Sequence, residues 1–164
     1  MSDLEGLLSR RIRLIPDWPV PGVLFRDITP VLADPEGLPT VVSAIVEALD
    51  AAGVGPVDMV AGIEARGFVF GAPLAVELGV GFVPVRKAGK LPGDLHSATY
   101  DLEYGTATLE IQVDALASGH RVVLVDDVVT TSATVRACSS VLRAMGASSV
   151  DVLCVARGGK GAES

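Results

Sequence analysis

Apolar and polar positions follow two different periods along the chain, and this change of period separates predicted strands from predicted helices. Short apolar runs predict buried strands, at residues 57–63, 80–86, 122–125 and 150–156. Helical spacing of apolar positions predicts helices, at residues 2–12, 35–52, 67–78 and 132–145. We expect Asp34 to cap the second helix, with Pro35 at its first position. The alternation predicts an α/β fold, a mostly parallel sheet flanked by helices with right-handed crossovers.

Three stretches interrupt this alternation. Prolines at positions 16, 19 and 21 predict an extended segment that runs to Arg26, so residues 1–30 form an N-terminal helix and segment. Residues 87–112 begin with a flexible Gly/Pro/Lys-rich loop, and then form a predicted β-hairpin of residues 99–102 and 106–113. We interpret the hairpin as a lid near the ligand edge. Residues 158–164 are predicted to be a disordered tail of a single domain, 1–164.

Composition narrows the class of protein. A chain of 164 residues fits one domain with a real core, and a chain that is 49% hydrophobic but 4% aromatic suits a buried parallel sheet. The net charge of −7 argues against nonspecific nucleic-acid binding. Two cysteines and two histidines support neither a disulfide framework nor a zinc site, so we expect buried, hydrophobic cysteines. Without a leader or an apolar run of ~20 residues, we expect a cytoplasmic, soluble protein that does not bind membranes.

The segment 122–134 carries the strongest chemical indication. Asp126 and Asp127 follow the predicted strand and are expected at its end, before a hydroxyl-rich turn and a helix. Ligands of open α/β sheets bind at the carboxyl ends of strands, and helix N-termini bind anions. Carboxylates beside an anion site indicate a sugar phosphate, because they accept hydrogen bonds from ribose hydroxyls. Taken alone, the acid pair is equally well explained as part of a solvated turn. The complete arrangement of strand, acid pair, hydroxyl turn and helix disfavours that alternative.

Two other strand-to-helix or strand-to-loop junctions carry cations. Arg66 follows a strand, where its guanidinium can fork two diphosphate oxygens while Gly67 lets the backbone approach. The alternative there is a surface ion pair at a helix start. A basic loop follows the next strand and contains Arg86, Lys87 and Lys90. Its alternative is an ordinary solvated loop, although three cations in five residues are unusual in so acidic a chain.

The hairpin carries one candidate catalytic acid. Glu103 is placed to act as a base or to stabilise a cationic sugar, with Tyr104 beside it. From the pattern alone, an exposed hairpin acid is the favoured alternative.

These motifs together resemble a known family. The acid pair and its hydroxyl turn resemble the 5-phosphoribosyl 1-diphosphate (PRPP) motif of the type I phosphoribosyltransferases. Four segments before it, in order PGVLFRDITPVL, EARGFVFGAPLA, VPVRKAGKLPG and YDLEYGTATLEIQVDAL, resemble the adenine branch of that family. The resemblance spans roughly residues 12–155. It implies a type I fold with the inserted hairpin as a hood, and the conversion of adenine and PRPP to AMP and diphosphate in purine salvage.

The resemblance also implies roles for individual residues. Asp126 and Asp127 would bind the ribose hydroxyls. The 5′-phosphate would be held by the turn, namely Thr130, Thr131, Ser132, Ala133 and Thr134. Glu64, Ala65 and Arg66 would lie at the diphosphate, with a non-proline cis bond between Glu64 and Ala65. Mg²⁺ would be carried by the diphosphate, with no direct protein ligand.

Further implied roles concern the basic loop, the base and the hood. Diphosphate would also be bound by the cations of the basic loop, Arg86, Lys87 and Lys90, with Arg86 reaching across the interface of a homodimer. Leu24 and Arg26 would read the adenine edge through backbone groups, and Phe25 would stack nearby. Glu103 and Tyr104 would close over the site.

The chain departs from the family pattern at two places. The phosphate loop of the family normally reads Ala-Thr-Gly-Gly-Thr, whereas Ser132 and Ala133 replace both glycines here. If either position needs a left-handed backbone, its Cβ costs roughly 1–2 kcal/mol. After the last predicted strand, Ala156 and Arg157 replace an expected Glu, and the family's usual further helix and strand do not follow, so we expect an exposed sheet edge.

Two alternative functions remain open at this point. One is a catalytically weak or inactive regulatory protein on the same fold that binds PRPP or a nucleotide. Such regulators usually add a DNA-binding domain, of which the sequence shows no indication. The other is a transferase for a different purine, such as hypoxanthine or guanine.

Overall fold

The computed structural model describes residues 3–102, 105–129 and 132–157. The chain divides into two compact units, Met1–Ala48 and Leu49–Ser164, which are described separately. No helix in the described residues is long and apolar enough to cross a membrane.

Within the described residues, the first unit contains three helices and a small sheet. Its elements are α1 (Asp3–Arg11), β1 (Arg13–Ile15), β2 (Phe25–Asp27), α2 (Thr29–Leu32) and most of α3 (Gly37–Ala51). Asp34 accepts a hydrogen bond from the Glu36 N–H at 3.1 Å, so it caps the turn before α3 rather than the helix itself.

The prediction of one extended segment through residues 16–26 was wrong. Strands β1 and β2 pair antiparallel, with Ile15 opposite Phe25, and a turn-rich connection joins them. Asp17 has a left-handed backbone (φ 56°) and its carboxylate accepts a hydrogen bond from the Gly22 N–H at 2.7 Å. This contact closes the turn, which the prolines alone did not reveal.

In its described part, the second unit is a six-stranded sheet with helices. Its remaining elements are β3 (Met59–Ile63), α4 (Arg66–Leu78), β4 (Gly81–Lys87), β5 (Leu95–Leu102), β6 (Gly105–Gln112), β7 (Arg121–Val129), α5 (Ala133–Ala144) and β8 (Ser149–Arg157). The strand order is β5-β6-β4-β3-β7-β8, with parallel pairing from β4 through β3 and β7 to β8 and antiparallel pairing of β4, β6 and β5. The predicted fold class is confirmed.

Two predicted boundaries in this sheet were wrong. The hairpin is longer than expected, because β5 begins at Leu95 and pairs with β6 as far as Gln112. Strand β7 does not end before the acid pair. Its pairing with β3 stops at Val125, but β8 accompanies it to Val129, so Asp126 and Asp127 lie within the strand.

The core of this unit lies between the sheet and its helices. Fully buried side chains come from the central strands and from both helices, including Val85, Ile111, Leu124, Phe70 and Leu142. Burial of these apolar side chains supplies the main driving force for folding. Cys138 of α5 belongs to this core, as predicted, whereas Cys154 of β8 is only partly buried, contrary to the prediction. Burial, followed by the nearby charge of Asp126, raises the pKa of the Cys138 thiol to about 12.

Strand β8 forms one edge of the sheet. Among the described residues no strand pairs with the outer side of β8, and Val152 of this strand is 43% exposed. The exposed edge expected from the sequence is therefore present in the described part of the chain.

Candidate active site

Three chemically distinct segments meet at one edge of the sheet in the second unit. Strands β4, β3 and β7 are neighbours, with Val85 opposite Ile63 and Val125 opposite Gly62. Because the strands are parallel, the segments that follow these positions lie side by side. They are the basic loop from Arg86, the turn from Glu64 to Gly67, and the acid pair in β7. The carboxyl-edge rule predicted a ligand at the end of β7, and the family resemblance assigned all three segments to one substrate.

The turn between β3 and α4 is tightly built. Its Glu64–Ala65 peptide bond is cis, as the family resemblance implied, and Arg66 is the first residue of α4. A Cβ added at Gly67 would lie only 2.5 Å from the carbonyl oxygen of Val125. Gly67 therefore serves the close packing of α4 on β7, a reason different from the ligand approach that the sequence suggested. This packing joins Arg66 to the strand that carries Asp126.

Glu64 links this turn to the basic loop. Its Oε2 accepts hydrogen bonds from the Arg86 Nε at 3.2 Å and the Lys87 backbone N–H at 3.0 Å. The hydrogen bond from the Lys87 N–H is the main cause of the lowered pKa of Glu64. The hydrogen bond from Arg86 is the next largest cause. Glu64 thus contacts the guanidinium of Arg86 and the backbone of Lys87 in its own chain, and its side chain is 16% exposed.

We expect the Glu64 carboxyl to titrate below its ordinary pKa of 4.5. Because its folded pKa is lowered, its stabilising contribution is present above the unfolded pKa and is lost as pH falls through the folded pKa. In an Arg86→Gln variant the pKa of Glu64 should rise only part of the way to 4.5, because the Lys87 N–H still donates its hydrogen bond. Carboxyl ¹³C NMR titration measures both values. A complete return to 4.5 in the variant would contradict the assignment to the backbone hydrogen bond.

Hydrogen bonds hold the whole start of the basic loop. The Ala88 N–H donates to the Thr108 carbonyl at 3.1 Å, and the Gly89 N–H donates to Glu110 Oε2 at 2.9 Å. Arg86 Nη1 donates to the Lys90 carbonyl at 3.4 Å. Gly89 has a left-handed backbone (φ 78°), which suits glycine. Sequence reasoning missed Glu110, because an acid on an alternating strand is usually a solvated side chain.

The phosphate turn is described from Ser132 onwards. Ser132 has a left-handed backbone (φ 61°, ψ 1°), and its carbonyl accepts the Arg136 N–H at 2.9 Å. Its hydroxyl caps no backbone N–H of α5 in the described residues. Ala133 and Thr134 already belong to the helix. Thr130 and Thr131 lie outside the described residues.

The candidate hairpin acid cannot be placed in this geometry. Glu103 and Tyr104 lie outside the described residues, between Leu102 of β5 and Gly105 of β6, which pair with each other. Their roles therefore stay predictions.

The predicted base segment lies in the first unit. Leu24 is 54% exposed, and Phe25 and Arg26 begin β2. The Phe25 ring lies 4.4 Å from the Trp18 ring, centroid to centroid, at an interplanar angle of 58°. Sequence reasoning missed Trp18, although it is the only tryptophan in a chain that is 4% aromatic.

A cavity of about 400 Å³ in the first unit contains none of the predicted site residues. Its lining includes Arg11 and Arg13. Arg11 pairs with Asp34 at 2.8 Å and Arg13 with Asp27 at 3.4 Å, so carboxylates compensate both charges. Hydrogen bonds from Thr29 chiefly lower the pKa of Asp27. We find no feature of this cavity that indicates a ligand.

Comparisons with known proteins agree with this geometry. A family model described as a phosphoribosyl transferase domain matches residues 32–164. Adenine phosphoribosyltransferase from Thermobifida fusca is 52% identical over 145 residues, 88% of this chain and 81% of that protein. The Mus musculus enzyme of the same name is 50% identical over 152 residues, 92% of this chain and 84% of that protein.

Solved structures give the same result. Adenine phosphoribosyltransferase from Saccharomyces cerevisiae, complexed with an imino-altritol bisphosphate and adenine, has a TM-score of 0.91 at 36% identity. The match covers 96% of this chain and 90% of the yeast chain. The sheet, its loop edge and the family match define an enzyme that transfers a phosphoribosyl group. Within this class, the chain belongs to the adenine phosphoribosyltransferases. The names of these relatives lend no support to the nonenzymatic alternative.

Proposed function

We propose that the chain converts adenine and PRPP to AMP and diphosphate, with the described edge of the second unit as its PRPP site. The observation that carries this proposal is the meeting of the acid-bearing strand, the Arg66 turn and the basic loop after three adjacent strands. PRPP has the matching chemistry, because it joins ribose hydroxyls to a monophosphate and a diphosphate.

The ribose 5-phosphate part of PRPP faces β7 and α5 in this proposal. Asp126 and Asp127 accept hydrogen bonds from the ribose hydroxyls. The 5′-phosphate binds at the N-terminal end of α5, where backbone N–H groups and the helix dipole favour an anion. Hydroxyls at positions 130, 131, 132 and 134, with the backbone of Ala133, complete this cradle.

The diphosphate faces the cations. Arg66, Arg86, Lys87 and Lys90 neutralise it, and Arg is suited to forked contacts with phosphate oxygens. The Glu64 contacts support this role, since they hold Arg86 and the Lys87 backbone in place. In a homodimer, which the resemblance implies, Arg86 also serves the neighbouring site.

Mg²⁺ fits the chemistry of this edge as a partner of the diphosphate. In this proposal the diphosphate oxygens and water carry the ion, with no direct protein ligand. The described residues contain no group of three or more His, Cys, Asp or Glu that holds a metal by itself. Bound there, Mg²⁺ supplies charge compensation for the departing diphosphate.

Adenine is bound in this proposal by the segment before and within β2. Backbone groups of Leu24 and Arg26 read the polar edge of the base, and the Phe25 ring stacks with it. The ring pair of Trp18 and Phe25 supports this role, because it gives Phe25 a defined position. The yeast relative was crystallised with adenine.

The reaction replaces the bond from ribose C1 to diphosphate by a bond from C1 to adenine N9. The ribose passes through a cation-like state as diphosphate leaves. An anionic Glu103 faces this cation and accepts the proton that adenine releases. Tyr104 and the hairpin of β5 and β6 cover the site and exclude water as a competing nucleophile. This soluble activity suits a cytoplasmic enzyme of purine salvage.

We expect purified protein to form AMP from adenine, PRPP and Mg²⁺, and to form little IMP or GMP from hypoxanthine or guanine. The reason is that the adenine-reading segment presents backbone groups matched to an amino purine. Chromatographic product analysis with each base measures this, with reactions lacking the base as controls. A preference for hypoxanthine or guanine would support the other purine transferase. PRPP binding without turnover would support the regulatory protein.

A further inference from the structure

Glu110 is an acidic residue on β6 that none of the site assignments above includes. It lies directly opposite Arg86 in the antiparallel ladder of β4 and β6, so both side chains project from the same face of the sheet. Besides facing Arg86 across the strand pair, its carboxylate contacts the backbone of the basic loop. It accepts a hydrogen bond from the Gly89 N–H at 2.9 Å, at the tip of the basic loop.

This contact completes a series of anchors on consecutive residues. Lys87 N–H is held by Glu64, Ala88 N–H by the Thr108 carbonyl, and Gly89 N–H by Glu110. A loop with three cations repels itself and loses conformational entropy when it closes on an anion. Anchors made before binding reduce that loss, and carboxylates also offset the repulsion between the cations.

We propose that Glu110 is a positioning residue for PRPP, which holds the Gly89 turn so that Arg86 and the two lysines of the basic loop face the diphosphate. This inference rests on the proposed function of the loop. Glu110 contacts the loop backbone, so its effect on the substrate passes through Gly89. Glu64 anchors the start of the same loop at the Lys87 N–H, and the two carboxylates support the loop together.

The test compares Glu110→Ala and Glu110→Gln with wild type. We expect Glu110→Ala to raise the KM for PRPP about fivefold, or ~1 kcal/mol, with kcat and the KM for adenine within about twofold of wild type. Glu110→Gln keeps an oxygen that accepts the Gly89 N–H but loses the charge. Its KM for PRPP should therefore lie between the values of wild type and Glu110→Ala. A merely structural role would lower active protein without this selective change.

Glu77→Ala and Glu77→Gln are the matched controls, since Glu77 is an exposed acid on α4. Amide hydrogen exchange at Gly89 gives a second readout, with protection expected in wild type and lost in Glu110→Ala. An unchanged KM for PRPP, or an equal rise in the KM for adenine, would overturn the inference.

The two proposals fail in different ways. If wild type makes no AMP, the proposed function fails, and the positioning role is then measured with diphosphate alone by calorimetry. A fivefold weaker affinity in Glu110→Ala would still support positioning. Equal affinities in wild type, Glu110→Ala and Glu77→Ala would overturn it.

Discussion

Replacing Gly67 by alanine is expected to lower the free energy of unfolding by about 2 kcal/mol, within the range for overpacked interiors. The added Cβ would lie 2.5 Å from the Val125 carbonyl oxygen, closer than such atoms approach without a shift. The obstacle is backbone on a buried strand, so it has little freedom to move. Helix propensity favours alanine by only about 0.5–1 kcal/mol, which does not compensate.

The same substitution should also weaken PRPP binding in the protein that folds. Gly67 follows Arg66, and Val125 precedes Asp126, so relief of the clash displaces one of two proposed ligand-binding residues. We therefore expect a higher KM for PRPP together with lower stability. Urea unfolding and steady-state kinetics measure the two effects separately.

Gly71→Ala on the same helix is the control for this prediction. Its Cβ would lie 2.8 Å from Cε2 of Phe82, a ring that is partly exposed and can shift. We expect Gly71→Ala to lose less stability than Gly67→Ala and to leave the KM for PRPP unchanged. If both variants were as stable as wild type, α4 would pack on β7 less closely than the structure indicates.

Much of the fold was predictable because local periodicity and buried packing agree in this chain. The apolar run of β3 reads as a buried strand, and four of its five residues are indeed buried. The carboxyl-edge rule predicted a ligand at the end of β7, and the family resemblance grouped the Arg66 turn and the basic loop with it without any knowledge of their contacts. A rule of topology and a family resemblance together thus predict which segments meet, even where the individual hydrogen bonds are unknown.

The rest depended on partners distant in sequence. Strand β7 continues past its acids because β8 accompanies it, and nothing in residues 126–129 shows that a partner is present. Likewise, Glu64 finds Arg86 across 22 positions, and Glu110 finds Gly89 across 21. Such pairs follow from the strand order, which local patterns do not contain.

The backbone conformation of the phosphate turn also could not be predicted from the sequence. This conformation differs between the two positions where the family has glycine. Ser132 has a left-handed backbone, whereas Ala133 begins α5 in the right-handed region. A Cβ is therefore unfavourable at the first position and favourable at the second. The two missing glycines are not equivalent, although sequence comparison treats them alike.

We expect Ser132→Gly to raise the free energy of unfolding by about 1 kcal/mol. A left-handed residue with a Cβ costs roughly 1–2 kcal/mol, and part of this gain is offset by the greater backbone entropy of glycine in the unfolded chain. The melting temperature should rise by about 2–4 °C for a chain of this size. Calorimetric or optical melting measures this change.

Two matched variants identify the cause. Ser132→Ala keeps the Cβ and removes the hydroxyl, so its melting temperature should equal that of wild type, and any rise in its KM for PRPP reports the hydroxyl. Ala133→Gly introduces glycine into a helical position and should lower stability by about 0.5–1 kcal/mol. Destabilisation by Ser132→Gly, or stabilisation by Ala133→Gly, would contradict the backbone assignment.

The Ser132→Gly variant also tests which equilibrium the Ser132 backbone affects. The left-handed residue belongs to the folded turn at the start of α5, so we expect its cost to fall mainly on folding, with little of it left for PRPP binding. Ser132→Gly should therefore change the melting temperature while leaving the KM for PRPP within about threefold of wild type, less than the tenfold that ~1.4 kcal/mol produces. A tenfold tighter KM with no change in melting temperature would mean that PRPP itself imposes the left-handed turn.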